Sequence, residues 1–436
     1  MANALVIAAL LATTTAAREM AFLLPKATYN MTKVCCDLRG FRCLTTFPNA
    51  AYGETDLSKE ELATRVSVLT DKTVAVGFEV LQDATPGTLH PATVQPTAPK
   101  ADVALAYDVG RSLKQFEVPK TNAQIQVGAP WHLTFLNAKQ KNICNITGTE
   151  CQFRDDAYVY RGTGKGVRVY AVGEAIDESH EEFYVPEGKK VSPDSFVFAD
   201  YRVNETCSRW QGTHVAALIS GKYYGVAKDA ELVSVAVKPG CRRVGSGRAL
   251  AEGLQWISRH LEANPSKAIV VVDAKVSVRQ PDTVVVDIIE ELVDALMDAG
   301  VVVVATSGAL QVDACAFTPS RMPRAITAAG AEVVQLPTRM VARPWLESNY
   351  GACVDIWAPG AMIESAFSPD PDSTAVYSGT TPASAMVAGV LATLMENHPD
   401  DNIDALLERM YNASSTSIML YSRPGTVSNI LQNPVE

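Results

Sequence analysis

The sequence is poor in positive charge and in long apolar runs, and each shortage excludes a class of protein. Lys and Arg number 38 against 48 Asp and Glu, which gives a formal net charge of -10. Nucleic-acid binding depends largely on neutralising phosphates with basic residues, so this balance argues against it. No apolar run reaches the roughly 20 residues that a membrane-spanning helix needs. We therefore expect neither nucleic-acid binding nor a membrane span.

Metal-binding residues are scarce as well. The 436 residues include only six histidines, and the nine cysteines show no zinc-ligand spacing with them. We therefore predict no metal and no cofactor. No internal repeat of solenoid or propeller length is visible. Apolar residues, in contrast, make up 47% of the chain, which is enough to bury cores of ordinary size, and the length suggests two or three domains.

The N-terminus carries a segment with the pattern of a secretory signal. Residues 5–11 are apolar and residues 13–17 are small, which predicts a signal peptide over residues 1–17, although a basic region before the apolar run is missing. A short buried helix is the alternative. Four N-x-[ST] sequons suit a glycosylated, secreted chain; they lie at Asn30, Asn145, Asn204 and Asn412.

Cysteine usage agrees with an oxidising compartment. The count is odd, so at least one cysteine lacks an intramolecular partner. Disulfides are expected within the group after residue 140, but their pairing cannot be deduced from sequence. That group comprises Cys144, Cys151, Cys207, Cys241, Cys315 and Cys353.

A Pro- and Thr-rich stretch over residues 84–100 separates two differently patterned regions. Upstream of it, a helix at 59–68 and a strand at 73–80 predict a small α+β region. From residue 166 onward, continuous apolar strands alternate with amphipathic helices, which indicates a parallel sheet covered on both faces. We therefore predict a doubly wound α/β domain over residues 166–436, with its sites at the C-terminal ends of the strands.

Two predicted helices begin with residues that suit catalysis. His214 lies at the start of one helix, and Thr381 stands immediately before Pro382, a residue that fits the first turn of a helix. A hydroxyl at a helix N-terminus lies beside free backbone N–H groups that stabilise an oxyanion. The pattern indicates a nucleophile and a base.

These segments resemble the subtilase family, and most closely its secreted proteinase-K-like branch. The resemblance is carried by the strand end before a Ser-His-x-Glu-Phe segment, by Gly-Thr-His, by Tyr-Gly-Val-Ala-Lys and by the motif before the second helix; these are residues 169–183, 212–214, 224–228, 348–360 and 378–383. It implies a subtilisin-like fold and a serine-type peptidase ancestry. It also places residues 25–122 where the family has an inhibitory propeptide, and residues 123–165 as a connecting segment.

The chemical positions implied by the resemblance are altered. Aligned without gaps, the family's catalytic Asp falls on Gly173, its nucleophilic Ser on Thr381 and its oxyanion-hole Asn on Ala309. His214 is the one group of the four that the resemblance leaves unchanged. The segment that lines the family's substrate cleft reads Lys-Val-Ser-Val over residues 275–278, with side chains where glycines would admit a peptide strand.

Losses of this kind have large effects on rate. Removing the carboxylate of the template triad costs roughly 10⁴-fold, and removing an oxyanion-hole donor costs about 10²–10³-fold. We therefore predict a secreted pseudoprotease that binds a partner or acts as a scaffold. The partner class stays open between a protein, a peptide and a small molecule. We also expect no self-cleavage near residues 119–128.

Two enzymatic alternatives stay open, so whether the protein is an enzyme is undecided from sequence. In one, His214, with Glu174 or Thr381, acts as acid or base on a small non-peptide substrate. In the other, a residual endopeptidase uses Thr381 as nucleophile and His214 as base. A loop carboxylate, such as that of Asp200 or Glu205, would then replace the missing one.

Overall fold

The computed structural model describes residues 18–24, 29–39, 41–55, 57–70, 74–78, 123–137, 157–185, 188–201, 209–240, 245–278, 284–336 and 340–434. The predicted signal peptide at 1–17 and the Pro-rich stretch at 84–100 lie outside these residues. Contacts divide the chain into two compact units. The smaller holds the described residues up to 78 together with 284–288, and the larger holds the other described residues.

The smaller unit contains an antiparallel four-stranded sheet in the order β2-β3-β1-β4 and two helices. The elements are β1 (Arg18–Leu23), α1 (Met31–Asp37), β2 (Phe41–Thr46), β3 (Ala50–Thr55), α2 (Lys59–Thr70) and β4 (Ala75–Phe78). Helix α2 buries Leu62 and Val66, which lie one turn apart and therefore face the same way. The predicted α+β region is thus confirmed.

The larger unit contains most of the strands. They are β5 (Gln124–Val127), β6 (Ala157–Tyr160), β7 (Val167–Gly173), β8 (Tyr184–Val185), β9 (Gly188–Lys189), β10 (Phe196–Val197), β11 (Glu231–Ala236), β12 (Lys267–Val272), β13 (Val276–Ser277), β14 (Val302–Thr306), β15 (Phe317–Thr318), β16 (Ile326–Gln335), β17 (Met340–Pro344), β18 (Ile356–Pro359), β19 (Ile363–Ala366) and β20 (Thr374–Tyr377). The helices are α3 (Trp131–Phe135), α4 (Trp210–Ser220), α5 (Gly247–Ala263), α6 (Val284–Asp298), α7 (Thr380–Asn397) and α8 (Ile403–Ala413). Of α6, residues 284–288 are assigned to the smaller unit.

An eight-stranded sheet forms the centre of this unit. Its strands lie in the order β10-β11-β7-β12-β14-β16-β17, and β18 also pairs with β16. All of these pairs are parallel except that of β16 with β17. The central strands are rich in Val and Ile and almost wholly buried, as a sheet covered on both faces requires. The predicted doubly wound, mostly parallel α/β fold is confirmed.

The helices differ in how much of their surface is buried. Helix α5 is amphipathic and begins at Ser246, whose side chain accepts a hydrogen bond from the Ala249 N–H. Helices α4 and α7, in contrast, are buried along almost their whole length and pack against each other, and α7 also packs on the sheet. Such all-round apolar helices are typical of the interior of a large domain. Both begin at the edge of the sheet where the parallel strands end.

Two disulfides join described cysteines. One links Cys35 to Cys43 in the smaller unit, and the other links Cys315 to Cys353 in the larger unit. The second bond joins two cysteines of the predicted group. The other four members, Cys144, Cys151, Cys207 and Cys241, lie outside the described residues. Among the residues that the structure covers, no helix is both long enough and apolar enough to cross a bilayer.

Candidate active site

Three charged side chains meet at the carboxyl edge of the central sheet. Glu174 follows β7, Lys238 lies two residues after β11, and Asp273 follows β12. The backbone continues to pair beyond the strands, because the Lys238 N–H donates to the Gly173 carbonyl (3.0 Å) and the Asp273 N–H donates to the Val172 carbonyl (2.8 Å). These bonds hold the three positions side by side, where sites of open α/β sheets lie.

The hydroxyl of Thr381 enters this cluster from the start of α7. Thr381 Oγ1 donates to Asp273 Oδ1 at 2.6 Å. The same oxygen accepts a hydrogen bond from Gln211 Nε2 at 3.2 Å. Gln211 is in the first turn of α4, so the starts of both buried helices meet at this hydroxyl.

Lys238 connects the carboxylate and the amide. Its ammonium donates to Asp273 Oδ2 (3.0 Å) and to Gln211 Oε1 (2.9 Å). Since Gln211 Oε1 accepts from an ammonium, its NH₂ group is the one that faces Thr381. Burial disfavours the charged ammonium, but the carboxylates of Asp273 and Glu174 outweigh it and raise the pKa of Lys238. The lysine therefore stays charged.

Glu174 is the most buried carboxylate of the cluster, with 9% of its surface exposed. Its Oε2 accepts a hydrogen bond from the Gln211 backbone N–H at 2.9 Å, which satisfies a free donor at the start of α4. Gly212 permits this close approach, because a Cβ atom there would overlap the carbonyl oxygen of Ala175. Burial raises the pKa of Glu174 to about 7, although Lys238 and the Gln211 bond oppose the shift.

His214 does not take part in this cluster, and its predicted pairing with Thr381 is wrong. The imidazole is 2% exposed, its Nε2 lies 3.0 Å from the Ile363 carbonyl oxygen, and its ring lies against that of Tyr377. Burial lowers the pKa of His214 to about 4. Residues three apart share a helix face, so Gln211 points the same way one turn nearer the edge and reaches the hydroxyl instead.

In a serine-type triad, the imidazole is hydrogen-bonded to the nucleophilic hydroxyl. Gln211 makes that contact here, so the position of the base is occupied by an amide. Among the described residues, Thr381 Oγ1 has hydrogen bonds to Asp273 and Gln211 and none to an imidazole. His214, the residue expected to make this contact, lies three residues later in α4.

Gly173 and Ala309 are the positions on which the resemblance places the family's catalytic Asp and its oxyanion-hole Asn. Gly173 ends β7, and a Cβ atom built on it would lie 3.4 Å from the Cβ of Asp273. Ala309 follows Gly308, whose N–H donates to Thr380 Oγ1 at 3.1 Å. The methyl group of Ala309 cannot donate a hydrogen bond to an oxyanion.

The loop around Ala309 is fixed by a neighbouring amide. The Oδ1 of Asn349 accepts from the N–H groups of Leu310 (2.9 Å) and Val312 (3.1 Å), and its Nδ2 donates to the Ser307 carbonyl (2.8 Å). Both ends of this amide are therefore engaged within the loop. Asn349 therefore shapes the loop.

The segment expected to line a peptide cleft is packed against its own chain. Strand β13 pairs with β15, and the Val278 N–H donates to the Ala316 carbonyl at 2.9 Å. Lys275 is 7% exposed, and its Nζ lies 5.7 Å from the centre of the Phe317 ring. A Cβ atom on Gly308 would lie 2.9 Å from Lys275 Cε, so this side chain fills the space beside Gly308.

The other predicted residues are dispersed. Asp200 carries a side chain that is 67% exposed and lies 3.8 Å from Arg248, so it forms a surface ion pair. Glu205 lies outside the described residues. Of the predicted glycosylation sites, Asn30 and Asn412 are exposed, whereas Asn145 and Asn204 lie outside the described residues.

Comparison with known proteins identifies the family. The Subtilase family model matches residues 164–425, which is more than half of the chain. The chain therefore belongs to the subtilase family.

Its relatives include the extracellular serine proteinase of Thermus sp. (strain Rt41A), which is 30% identical over 63% of this chain and 60% of its own length. Subtilisin-like protease 2 of Trichophyton equinum is 30% identical over 69% of this chain and 65% of its own length. The chain thus spans less than two thirds of these relatives. Similar fungal proteins agree with the proteinase-K-like branch.

A similar solved structure is the crystal structure of a cold adapted subtilisin-like serine proteinase. It has a TM-score of 0.56 and 24% identity, and the match covers 71% of this chain and 100% of that one. At this identity the likeness concerns the fold alone, and it agrees with the mostly parallel sheet described above.

Proposed function

We propose that this chain is a secreted pseudoprotease of the subtilase family, which binds a partner or acts as a scaffold without cleaving peptides. One observation carries the proposal. The hydroxyl at the nucleophile position, Thr381, is hydrogen-bonded to a carboxylate and an amide rather than to an imidazole.

Peptide cleavage needs a group that first accepts the nucleophile's proton and then gives a proton to the leaving amine. The amide of Gln211 does neither, because it does not titrate. Asp273 accepts hydrogen bonds from both the Thr381 hydroxyl and the Lys238 ammonium, so both of its carboxylate oxygens already serve as acceptors. Among the described residues, no imidazole is bonded to the Thr381 hydroxyl to carry its proton to the leaving amine.

Two further features support the absence of peptidase activity. Ala309 supplies no side-chain donor to an oxyanion, a loss that costs about 10²–10³-fold in the template enzymes. The segment 275–278 is paired on one edge with β15, and Lys275 fills space beside Gly308. A substrate strand would have to displace these contacts.

Both alternatives that use His214 lose support. Its Nε2 is bonded to a backbone carbonyl and its ring is almost wholly buried, so it is available neither to a small substrate nor to Thr381. We therefore do not retain His214 as an acid or a base.

Secretion is supported by two observations. The Thermus relative is described as extracellular, and the described residues contain two disulfides, which are typical of oxidising compartments. Expression in a eukaryotic secretory host should place the protein in the medium with residues 1–17 removed. N-terminal sequencing tests the cleavage, and glycosidase treatment tests the exposed Asn30 and Asn412.

The decisive experiment measures hydrolysis of casein and of a fluorogenic peptide library by the purified full chain. The matched control is Thr381→Val, which keeps the side-chain shape and removes the hydroxyl. We expect no turnover by either protein and no self-cleavage near residues 119–128. Peptide turnover, or a new N-terminus near Gln124, that disappears in Thr381→Val would contradict the proposal.

A further inference from the structure

The hydroxyl of Thr381 has the hydrogen-bond geometry of a nucleophile beside a base, although that base is not histidine. Asp273 Oδ1 accepts its proton at 2.6 Å, which is within the range expected for a general base. We propose that Thr381, Asp273 and Lys238 form a nucleophile site that cleaves small activated esters, namely aryl and thiol esters. This inference rests on the proposed function, since it uses the same hydroxyl and explains why esters but not peptides would react.

Lys238 and Gln211 act as positioning residues in this site. Lys238 binds the second oxygen of the carboxylate, Oδ2, at 3.0 Å and so fixes its plane. Gln211 donates to the hydroxyl oxygen at 3.2 Å. Because the amide occupies one lone pair of that oxygen, the hydroxyl hydrogen is directed at Asp273.

The start of α7 supplies weak stabilisation of an oxyanion. Thr381 is the second residue of the helix, where backbone N–H groups have no partner within the helix. The positive end of the helix dipole also favours negative charge there. Ala309 adds no side-chain donor, so only reactive carbonyls are expected to be attacked.

The leaving group decides between esters and peptides. An amine leaves only when it is protonated, and no imidazole is bonded to Thr381 to supply that proton, whereas an aryloxide or thiolate leaves as an anion. Thr381 is 5% exposed, and the side chains of Asp273 and Lys238 are 13% and 17% exposed. With so little of these side chains exposed, only a small acyl group is expected to reach the hydroxyl.

The reaction balances without any further reagent besides water. Thr381 Oγ1 bonds to the ester carbonyl carbon, its proton moves to Asp273, and the bond to the aryloxide or thiolate breaks. The departed anion takes that proton through solvent. Water then attacks the acyl-threonine and gives a proton to Asp273, the bond to Oγ1 breaks, and Oγ1 recovers the proton. The products are a carboxylic acid and a phenol or thiol.

The test uses p-nitrophenyl acetate with the full chain, following p-nitrophenolate release and locating the acetyl group by peptide mapping. Thr381→Val should abolish the release that depends on the hydroxyl. Thr381→Ser should retain it. Asp273→Asn should lower it by about 10²-fold, the lower range for general-base catalysis.

The matched control is Thr393→Val, in the same helix, where the hydroxyl donates to the Val390 carbonyl outside the site. It should leave release unchanged. Circular dichroism checks that each variant is folded, and Thr381→Ser with Thr381→Val keeps the test decisive if Asp273→Asn unfolds.

Acetyl found on Thr381, with release lost in Thr381→Val, supports the inference. Equal release by Thr381→Val and the unmodified chain, or acetyl found only on lysines, overturns it. Peptide turnover in the parallel assay would overturn the proposed function alone. Absence of both activities would overturn this inference and leave the pseudoprotease proposal standing.

Discussion

The interior of the central sheet and its carboxyl edge are built from opposite kinds of residue. Within β12, Ile269 and Val271 are buried without polar partners, and neighbouring strands repeat the pattern. A few ångströms beyond the strand ends lie Glu174, Lys238 and Asp273, which are charged or titratable. The interior is held by removal of apolar surface from water, whereas each edge residue tolerates burial only because another edge residue pairs with it.

The interior should show the larger effect of truncation. Ile269→Ala removes buried methyl groups from β12 and leaves a cavity, so we expect the free energy of unfolding to fall by about 2–5 kcal/mol. Urea denaturation at neutral pH measures this change. A loss below 1 kcal/mol, with the slope against urea unchanged, would show that the site collapses and that the interior is not tightly packed.

The edge should respond to single and paired changes differently. Asp273→Asn leaves the buried Lys238 ammonium without its carboxylate, and removal of one partner of a buried pair costs about 3–5 kcal/mol. The pair keeps some solvent contact, with 17% of the Lys238 side chain and 13% of the Asp273 side chain exposed, so we expect the lower end.

The paired control is Asp273→Leu with Lys238→Met, which removes both charges. We expect its unfolding free energy to lie within about 1 kcal/mol of the unmodified chain, because replacing a buried ion pair by apolar residues is often neutral. Urea denaturation of the single and double variants gives the coupling energy. Additive losses would show that the two side chains act independently.

A pH titration should distinguish the edge from the interior more finely. Free Glu titrates near about 4.3, whereas burial raises the pKa of Glu174 to about 7 in the folded chain. The folded state therefore holds the extra proton between these values, and its stability falls as the pH rises through this window. Between about pH 5 and 7.5 the loss should be about 2 kcal/mol.

Glu174→Gln should abolish this loss while keeping an oxygen that accepts from the Gln211 N–H. Burial lowers the pKa of His214 to about 4 and that of His132 to about 3, so both histidines stabilise the fold as the pH rises and oppose Glu174. The difference between variant and unmodified chain isolates Glu174. Parallel pH profiles of the two proteins would refute the assignment.

The interior could be deduced from the sequence because it follows a periodic rule. Unbroken apolar segments from residue 166 onward predicted the doubly wound sheet, and the strands observed there are almost wholly buried. Burial acts on every residue of a strand, so the pattern is repeated many times and errors at single positions do not matter.

The edge could not be deduced in the same way, because its chemistry depends on single residues brought together from distant parts of the chain. Motif matching named Thr381 and Gly173 but overlooked Gln211, Lys238 and Asp273. The position after each predicted parallel strand would have indicated Asp273 directly, and Lys238 nearly so. Gln211 could be recognised only from the contact of α4 with Thr381.

The smallest effect is expected at His214, the residue that sequence resemblance favoured most. Its imidazole contacts the Ile363 carbonyl and the Tyr377 ring, so it belongs with the interior rather than with the edge. His214→Gln should lower the unfolding free energy by about 0.5–1.5 kcal/mol, the value of one hydrogen bond, and leave p-nitrophenyl acetate release unchanged.

Gln211→Ala is the matched change one helical turn earlier, and it should lower that release because the Thr381 hydroxyl is no longer directed at Asp273. If His214→Gln reduced release more than Gln211→Ala, the imidazole would belong to the site and the division between interior and edge would fail at this helix.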